Sequence, residues 1–229
     1  MSNKPIDSLQ LFEFDFDVKA APDFRHEQWL MNKRAALVCG VDEAGRGPLA
    51  GPVTAAAVIL DPENIPDGLH DSKKLTKKKR EGLFLEILNS SVVSFAHVGA
   101  PTIDEINIRE ASLFAMTKSV LGLNAKVTYA LIDGNALPKN LPCPAASLVK
   151  GDSRSLSIAA ASIIAKVVRD QLMVRLDAQY PGYGLAGHKG YPTKAHREAV
   201  MELGPSRIHR RSFAPVAAAI DIKKPGSAV

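Results

Sequence analysis

Two apolar segments joined by a short glycine-rich turn constrain the fold of this chain most strongly. ALVCGVDE (36–43) and GPVTAAAVIL (51–60) are both typical of buried strands. Because the turn between them is too short for a crossover connection, we expect an antiparallel hairpin. The first strand is unusual, because it ends in two adjacent carboxylates, Asp42 and Glu43, that precede the turn AGRGPLAG (44–51).

Strand and helix patterns alternate after this hairpin. Strands followed by such alternation predict a layered α/β domain with a mixed sheet, and the helical segments after residue 180 predict a C-terminal helical appendage. The helix that begins near Thr102 carries a capping box with Glu105. The patterns predict helices at 76–90, 102–123, 155–180 and 193–203, and strands at 91–100, 127–134 and 145–152.

The domain boundaries follow from changes in these patterns. The chain has 229 residues, of which 46% are hydrophobic, and this suits one globular domain of ordinary size. Residues 1–34 lack a clean periodicity and are interpreted as an N-terminal extension. The domain then covers residues 35–217, and residues 218–229 are expected to form a loose, flexible tail.

The composition favours a cytoplasmic protein without a membrane anchor. The apolar run Ala55–Leu60 is too short to span a bilayer, and the N-terminus has no cationic head followed by an apolar core. Two cysteines, Cys39 and Cys143, without a CxxC pair favour a reducing compartment and argue against a structural zinc site. We expect a monomer.

Basic residues are concentrated in three clusters, although the formal net charge is only +5. Clusters of this kind bind phosphates when they lie near turns, and they are equally typical of a solvated charged face. Polyanion binding is therefore a hypothesis that the clusters alone do not decide. They are DSKKLTKKKR (71–80), HKGYPTKAHR (188–197) and RIHRR (207–211).

Carboxylates also follow two later strands, and they suggest a metal site. Asp133 and Asp152 end the fourth and fifth predicted strands, as Asp42 and Glu43 end the first. Four carboxylates brought together would resist ionisation unless a divalent cation such as Mg²⁺ or Mn²⁺ bound among them. Acids and basic surroundings together suggest metal-assisted chemistry on a phosphodiester. The alternative is that Asp133 and Asp152 only form turns.

Several motifs in order give the chain a clear resemblance to one family. The stretch VDEAGRGPLAGPV (41–53) resembles bacterial type 2 ribonuclease H, the ribonuclease HII family. The resemblance covers residues 35 to about 217. It extends through DSKKL (71–75), EINI (105–108), LIDGN (131–135), VKGDSRSLSIAAASIIAKVVRD (149–170), YGLAGHKGYPT (183–193) and HRRSFAPV (209–216).

The resemblance implies both a fold and a reaction. The fold is ribonuclease H-like, with a central five-stranded mixed sheet and helices on both faces. The reaction is metal-dependent cleavage of the RNA strand in RNA–DNA hybrids and at single ribonucleotides embedded in duplex DNA. It uses Mn²⁺ or Mg²⁺ and leaves 5′-phosphate and 3′-hydroxyl ends. The metal-binding, catalytic carboxylates would be Asp42, Glu43, Asp133 and Asp152.

The same resemblance assigns substrate contacts. The Gly45-Arg46-Gly47 turn would contact the ribose 2′-hydroxyl, the group that distinguishes RNA from DNA. Tyr191 would pack against the deoxyribose that follows the ribonucleotide. Four further residues are expected to contact phosphates, and they are Lys73, Lys74, His188 and Lys189.

Two alternatives and one further partner remain open from the sequence. The alternatives are a DNA nuclease or resolvase of the same fold and a non-catalytic nucleic-acid-binding module. The segment SLQLFEF (8–14) resembles short peptides that dock on the bacterial sliding clamp. An amphipathic segment packed on its own domain explains these residues as well, and we favour it because short motifs match often by chance.

Overall fold

A five-stranded mixed sheet with helices on both faces forms the framework of the protein. The computed structural model describes residues 21–33 and 35–223. Its strands are β1 (Val38–Ala44), β2 (Val53–Leu60), β3 (Ser91–Val98), β4 (Tyr129–Asp133) and β5 (Ala145–Leu148). Its helices are α1 (Arg25–Asn32), α2 (Lys77–Ser90), α3 (Ala100–Leu121), α4 (Leu156–Gln179), α5 (Leu185–His188), α6 (Lys194–Leu203) and α7 (Ala214–Lys223).

The strand order is β3-β2-β1-β4-β5. Strands β1, β2 and β3 pair antiparallel, whereas β4 and β5 run parallel to β1. The predicted mixed sheet and hairpin are therefore confirmed. The carboxyl ends of β1, β4 and β5 meet at one edge of the sheet because these three strands share a direction.

Strand β2 is an unbroken apolar run because both of its faces are covered. Every residue of Val53–Leu60 is buried. Its odd-numbered residues pack with α3, and its even-numbered residues from Ala56 onward pack with α2 and α4. On the α4 side the backbones approach closely, since a Cβ atom added at Gly40 of β1 would lie 2.1 Å from the carbonyl carbon of Ser157. A glycine here lets the longest helix lie directly against the strand that carries Asp42.

The capping box predicted at Thr102 is wrong. Helix α3 begins at Ala100 after Gly99, without a side-chain cap, and Pro101 occupies its first turn. The helix is also interrupted at Asn107, which has a φ of 66°. The Asn107 Oδ1 atom accepts hydrogen bonds from the backbone nitrogens of Arg109 and Glu110, so it caps a second helical stretch. An internal cap does not disturb the apolar periodicity, and the pattern therefore predicted one continuous helix.

The N-terminal segment contributes a helix that the sequence did not predict. Helix α1 buries Leu30 against β1, β4 and β5. Its Glu27 is 1% exposed and reaches the first turn of α4. Residues 1–20, including the clamp-like segment 8–14, lie outside the described residues. The placement of the domain boundary at residue 35 stays a prediction.

The C-terminal appendage consists of α5, α6 and α7. Helix α6 begins after Thr193, whose side chain accepts a hydrogen bond from the His196 nitrogen. Helix α7 continues through residues 218–223, which the sequence assigned to a loose tail, and Ala219 is fully buried. Across the part of the chain that the structure describes, no helix has the length and apolar character needed to cross a membrane.

Candidate nuclease active site

The four predicted carboxylates meet at the carboxyl ends of β1, β4 and β5. Asp42 and Glu43 lie near the end of β1, and Asp133 is the last residue of β4. Strand β5 is shorter than predicted, because Lys150 adopts a left-handed conformation with a φ of 54°. Asp152 therefore lies in a single 3-10 turn after β5 rather than in the strand.

Asp42 is buried among like charges. Its side chain is on the α4 side of the sheet, the residue is 6% exposed, and its Oδ1 accepts a hydrogen bond from the Glu43 nitrogen at 2.6 Å. Burial raises the pKa of Asp42 well above its ordinary value of 3.8, and the charges of Glu43 and Asp133 raise it further. A cation bound nearby would therefore stabilise the ionised form of this carboxylate.

Asp133 and Asp152 are held together by the turn between β5 and α4. The Gly151 nitrogen donates a 2.7 Å hydrogen bond to Asp133 Oδ1. A Cβ at Gly151 would lie 2.6 Å from Ile158 Cδ1, so only glycine fits there. Burial, followed by the charges of Asp133 and Asp71, raises the pKa of Asp152 to about 6. Asp71, the first residue of DSKKL, hydrogen-bonds Asp152 and was not predicted as part of the site.

Glu43 faces the other side of the sheet, toward α3. It lines a small cavity with Arg46, Arg109, Ser112 and Asp133. Burial raises the pKa of Glu43, whereas the Arg46 guanidinium, with Nη1 at 3.4 Å from Glu43 Oε1, opposes that rise. Adjacent strand residues point to opposite faces, yet both Asp42 and Glu43 interact with Asp133 because β1 ends beside it.

The Lys73 ammonium lies close enough to the carboxylates to interact with their charges. Partial burial lowers the pKa of its ammonium, but the charges of Asp71, Asp42, Asp152 and Asp133 outweigh this effect and raise it. The sequence assigned Lys73 to phosphate binding. Its position beside the acids means that the same charge also compensates them.

The donor set fits Mg²⁺ or Mn²⁺. All four carboxylates supply hard oxygen ligands, and burial raises the pKa of each. Within residues 21–33 and 35–223, no three His, Cys, Asp or Glu side chains lie close enough together to hold a metal ion by themselves. Mg²⁺ usually keeps several water ligands and binds through one or two carboxylates with substrate phosphate, so an open set of acids suits it.

The Gly45-Arg46-Gly47 turn is held in place by a buried arginine that the sequence did not reveal. Arg210 is fully buried, and its guanidinium donates to the carbonyl oxygens of Gly45 at 2.6 Å, Arg46 at 2.8 Å and Gly51 at 3.1 Å. Burial, and the charge of Arg169 after it, lowers the pKa of Arg210 to about 9, which leaves it charged at neutral pH.

Arg169 of α4 supports the remainder of this loop. Its guanidinium donates to the carbonyls of Pro52 at 2.9 Å, Lys189 at 3.1 Å and Ala50 at 3.3 Å. It also lies under Gly45, where an added Cβ would come within 2.0 Å of Arg169 Nε. The φ of Gly45 is +96°, so both its conformation and its contact require glycine.

Tyr191 shares a surface with the turn. Its ring is 41% exposed, and a Cβ at Gly47 would lie 3.7 Å from Tyr191 Cε1. The Lys166 ammonium lies 5.8 Å from the ring centroid and forms an ion pair of 2.8 Å with Asp170. The turn and the aromatic ring are thus adjacent, as reading two neighbouring sugars would require.

His188 and Lys189 have partners within the protein. His188 Nε2 bonds the Tyr183 carbonyl at 2.9 Å, and His188 Nδ1 accepts from the Gly190 nitrogen at 3.1 Å. The Lys189 ammonium donates to the Ala186 carbonyl. Both ring nitrogens of His188 are hydrogen-bonded within the protein, so His188 supports the loop, and its phosphate contact stays a prediction.

A groove of about 390 Å³ continues from Tyr191 between α2, α4 and α5. Four cationic side chains and two acidic ones, Glu81 and Asp170, line it together with Tyr191. A groove of this charge and shape suits a nucleic-acid backbone. The cationic residues that line it are Lys77, Arg80, Lys166 and Lys189.

Similar solved structures define the class as ribonuclease H. The ribonuclease H2 from Pyrococcus horikoshii matches with a TM-score of 0.69 and 28% identity, over 81% of this chain and 98% of that chain. The ribonuclease HII of Archaeoglobus fulgidus, solved in complex with PCNA, matches at 0.66 and 27%, over 77% and 95%. Bst-RNase HIII, solved with Mn²⁺, shares the fold at 0.67 and 21%, over 82% and 70%.

Sequence relatives then identify the family. The Ribonuclease HII family model matches residues 39–216. Ribonuclease HII of Agrobacterium fabrum is 53% identical over 210 residues, which cover 92% of this chain and 95% of the relative. That of Brucella abortus is 52% identical over 208 residues, covering 90% and 94%. The chain belongs to the ribonuclease HII family and is a ribonuclease H, an endonuclease that hydrolyses RNA in RNA–DNA hybrids.

Family membership decides among the alternatives that the sequence left open. A DNA nuclease or resolvase of the same fold and a non-catalytic binding module are both set aside, because all of the relatives described above are ribonucleases H. The four carboxylates that resemblance assigned to this site are all present and close enough to shift one another's pKa values.

Proposed function

We propose that this ribonuclease H cleaves on the 5′ side of a ribonucleotide by holding two divalent ions on Asp42, Glu43, Asp133 and Asp152. It acts on the RNA strand of hybrids and on single ribonucleotides in duplex DNA, and it leaves 5′-phosphate and 3′-hydroxyl ends. The observation that carries the proposal is the convergence of four carboxylates with raised pKa values at one edge of the sheet.

The ions would be Mn²⁺ or Mg²⁺. When bound, divalent ions supply an activated water and stabilise the leaving 3′-oxygen. The Mn²⁺ in the Bst-RNase HIII structure supports a divalent ion in this fold. Asp42, Glu43, Asp133 and Asp152 would hold the ions, because these side chains lie close enough to shift one another's pKa values.

The substrate would be read by two adjacent contacts. The Gly45-Arg46-Gly47 backbone would approach the ribose 2′-hydroxyl, and the exposed Arg46 guanidinium would exchange Glu43 for a phosphate or the 2′-oxygen. Tyr191 would pack on the next sugar, where a deoxyribose presents an apolar face and a 2′-hydroxyl would lose its hydrogen bonds to water. A Cβ atom added at Gly47 would lie 3.7 Å from Tyr191 Cε1, and this short distance supports contacts with two neighbouring sugars.

The basic residues would bind the duplex backbone without reading its sequence. Lys73 and Lys74 would contact phosphates near the cut, and Lys189 would contribute once its side chain left the Ala186 carbonyl. The groove beyond Tyr191 would carry the phosphates of the DNA that follows the ribonucleotide, since Lys77, Arg80 and Lys166 line it.

Three duplexes test this function directly. The enzyme would be incubated with all-DNA, with an RNA–DNA hybrid, and with DNA containing one ribonucleotide, each with Mn²⁺, with Mg²⁺ and with a chelator. The expected result is cleavage of the last two only, with metal, and a 5′-phosphate on the ribonucleotide-containing product. Cleavage of all-DNA, or of the single-ribonucleotide duplex with the chelator present, would contradict the proposal.

We also propose that residues 8–14 dock on a sliding clamp. The Archaeoglobus fulgidus relative, which was solved with PCNA, supports a clamp as a partner. Packing of the segment on its own domain is the alternative. Replacing Leu11 and Phe12 with alanine should abolish binding to a purified bacterial clamp while the rate of cleavage stays unchanged. Clamp binding that survives this change would rule the segment out.

A further inference from the structure

Three histidines lie between the Tyr191 loop and the C-terminal segment, and the reaction does not use them. The His188 and His196 rings stack with centroids 4.4 Å apart, and the His196 and His209 centroids are 5.3 Å apart. His196 and His209 are essentially inaccessible to solvent. No carboxylate is among the groups that shift the pKa of His196 or His209, which suggests a structural or positioning task rather than proton transfer.

Hydrogen bonds fix the tautomer of both buried histidines. The Ser206 nitrogen donates to His209 Nδ1 at 3.1 Å, so the proton of a neutral His209 lies on Nε2. His209 Nε2 then donates to His196 Nε2 at 3.1 Å. His196 consequently carries its proton on Nδ1, which donates to the Tyr191 carbonyl at 3.0 Å. Each bond in this relay has a single allowed direction, from Ser206 to Tyr191.

The relay requires neutral rings, and burial keeps them neutral. Burial lowers the pKa of His196, and the charge of His188 lowers it further. Burial lowers the pKa of His209 to about 4, and the charge of His196 adds to this effect. An imidazolium would carry protons on both nitrogens, and two N–H groups would then face each other across the 3.1 Å contact.

The same segment also holds the turn that contacts the 2′-hydroxyl. The Gly51 nitrogen donates to the Ile208 carbonyl at 2.9 Å, and the Arg210 nitrogen donates to the Leu49 carbonyl at 2.8 Å. The Arg210 side chain binds the Gly45 and Arg46 carbonyls. Two consecutive residues therefore act on the two candidate substrate contacts. His209 reaches Tyr191 through the relay, and Arg210 binds the Gly45-Arg46-Gly47 turn directly.

We propose that the Ser206–His209–His196 relay positions Tyr191 and thereby selects the ribonucleotide–deoxyribonucleotide junction. His209 and His196 are positioning residues, since neither touches the substrate. Arg210 positions the turn that is needed for every ribonucleotide, whereas His209 sets the place of the ring that is needed only at a junction. The inference rests on the role proposed above for Tyr191.

Two substitutions at His209 separate this relay from general support of the fold. In His209→Asn, the side-chain oxygen lies near the former Nδ1 and still accepts from Ser206, but nothing reaches His196. In His209→Gln, the amide nitrogen reaches the former Nε2 and restores the donor to His196. Lys194→Ala serves as a control, because Lys194 is exposed on α6 and pairs with Glu198 at 3.8 Å.

The measurement is the ratio of kcat/KM on a single-ribonucleotide duplex to that on an RNA–DNA hybrid. For His209→Asn this ratio should fall about three- to tenfold, the effect of one lost hydrogen bond. His209→Gln should recover most of the ratio, and Lys194→Ala should not alter it. In a Tyr191→Ala background, His209→Asn should have no further effect on the ratio, because the two residues act through one contact.

The outcomes distinguish this inference from the role proposed for Tyr191. If Tyr191→Ala leaves the ratio unchanged, the proposed reading of the junction is wrong. If Tyr191→Ala lowers the ratio but His209→Asn reduces both activities equally, His209 only supports the fold and the relay is overturned. If His209 only supports the fold, His209→Asn and His209→Gln should lose equal amounts of kcat/KM on both substrates. The melting temperature of each variant would show the accompanying loss of stability.

Discussion

Two buried arginines, Arg169 and Arg210, hold the candidate substrate-reading turn in place. Among the residues that the structure describes, neither forms an ion pair with a carboxylate, and each donates three hydrogen bonds to backbone carbonyls. Basic residues in a charged stretch are usually solvated. The pattern RIHRR (207–211) therefore indicates a phosphate-binding or solvent-exposed cluster. The two adjacent arginines differ in burial, because Arg210 is fully buried and Arg211 is exposed.

Arg210→Lys should lower activity on every ribonucleotide-containing substrate. A lysine ammonium lacks the planar fork that reaches three carbonyls, so the turn should shift and carbonyls should lose partners. We expect stability to fall by about 2–4 kcal/mol and kcat/KM to fall roughly ten- to a hundredfold on hybrids and junctions alike. Arg211→Lys is the matched control. Equal effects of the two changes on melting and turnover would argue against the assigned role of Arg210.

Tyr191→Ala should instead damage cleavage selectively. The 2′-hydroxyl is present at every residue of an RNA strand, and the choice of a junction therefore needs a second contact. Losing the aromatic ring should cost about 1–3 kcal/mol on the single-ribonucleotide duplex and less on the continuous hybrid. Values of kcat/KM on both substrates at one salt concentration test this. Equal losses would make Tyr191 a packing residue.

At the scale of secondary-structure elements, the junction between β5 and α4 depends on α1. Glu27 of α1 is buried, and its Oε1 accepts hydrogen bonds from the Ser155 hydroxyl at 2.5 Å and from the Ser157 nitrogen and hydroxyl at 2.9 and 2.6 Å. These residues follow Asp152 directly, so α1 stabilises the segment that carries one of the acids. Residues 25–32 are mostly polar, and a contact made by a single buried acid has no sequence signature.

Glu27→Gln should change the pH dependence of stability in a defined direction. Burial raises the pKa of Glu27 above its ordinary value of 4.5, so the folded protein holds this proton more tightly than the unfolded chain. The stabilisation from this proton is complete below about pH 4.5 and declines as the pH rises through the raised pKa. The melting temperature of the glutamine variant, relative to wild type, should therefore increase between about pH 4.5 and pH 8.

Glu27→Ala provides the comparison, since it removes the acceptor at every pH. We expect it to cost about 2–4 kcal/mol, because three donors near the start of α4 lose their partner. If the difference between wild type and Glu27→Gln is constant over the pH range, Glu27 is not a buried titrating group in the folded protein.

The segment from Asp71 to Lys74 connects the basic cluster with the acids. Replacing both Lys73 and Lys74 with alanine should weaken duplex binding and reduce the dependence of log affinity on log salt by roughly one unit for each lost phosphate contact. The position of the cut should not move. Binding measured at several salt concentrations provides the test, and an unchanged slope would mean that these lysines do not contact phosphates.

At the scale of the whole molecule, the fold was predictable because its signals are local. Alternation of strands and helices indicated the mixed sheet, and carboxylates at three strand ends indicated where side chains would meet. The arrangement around Tyr191 was not predictable in the same way, since it depends on contacts between segments far apart in sequence. Hydrogen bonds from the backbone and from buried side chains join three separate segments there, and these are residues 45–51, 190–191 and 208–210.

The central claim is that the carboxylates at the strand ends form the catalytic ion site, and Asp42→Asn tests it most directly. Asp42 is surrounded by like charges, so its neutralisation should leave the metal-free fold as stable as wild type or more stable. Cleavage of a single-ribonucleotide duplex across a Mn²⁺ titration should fall by at least about a thousandfold while the melting temperature without metal does not decrease. Near-normal cleavage by Asp42→Asn at any Mn²⁺ concentration would contradict the assignment.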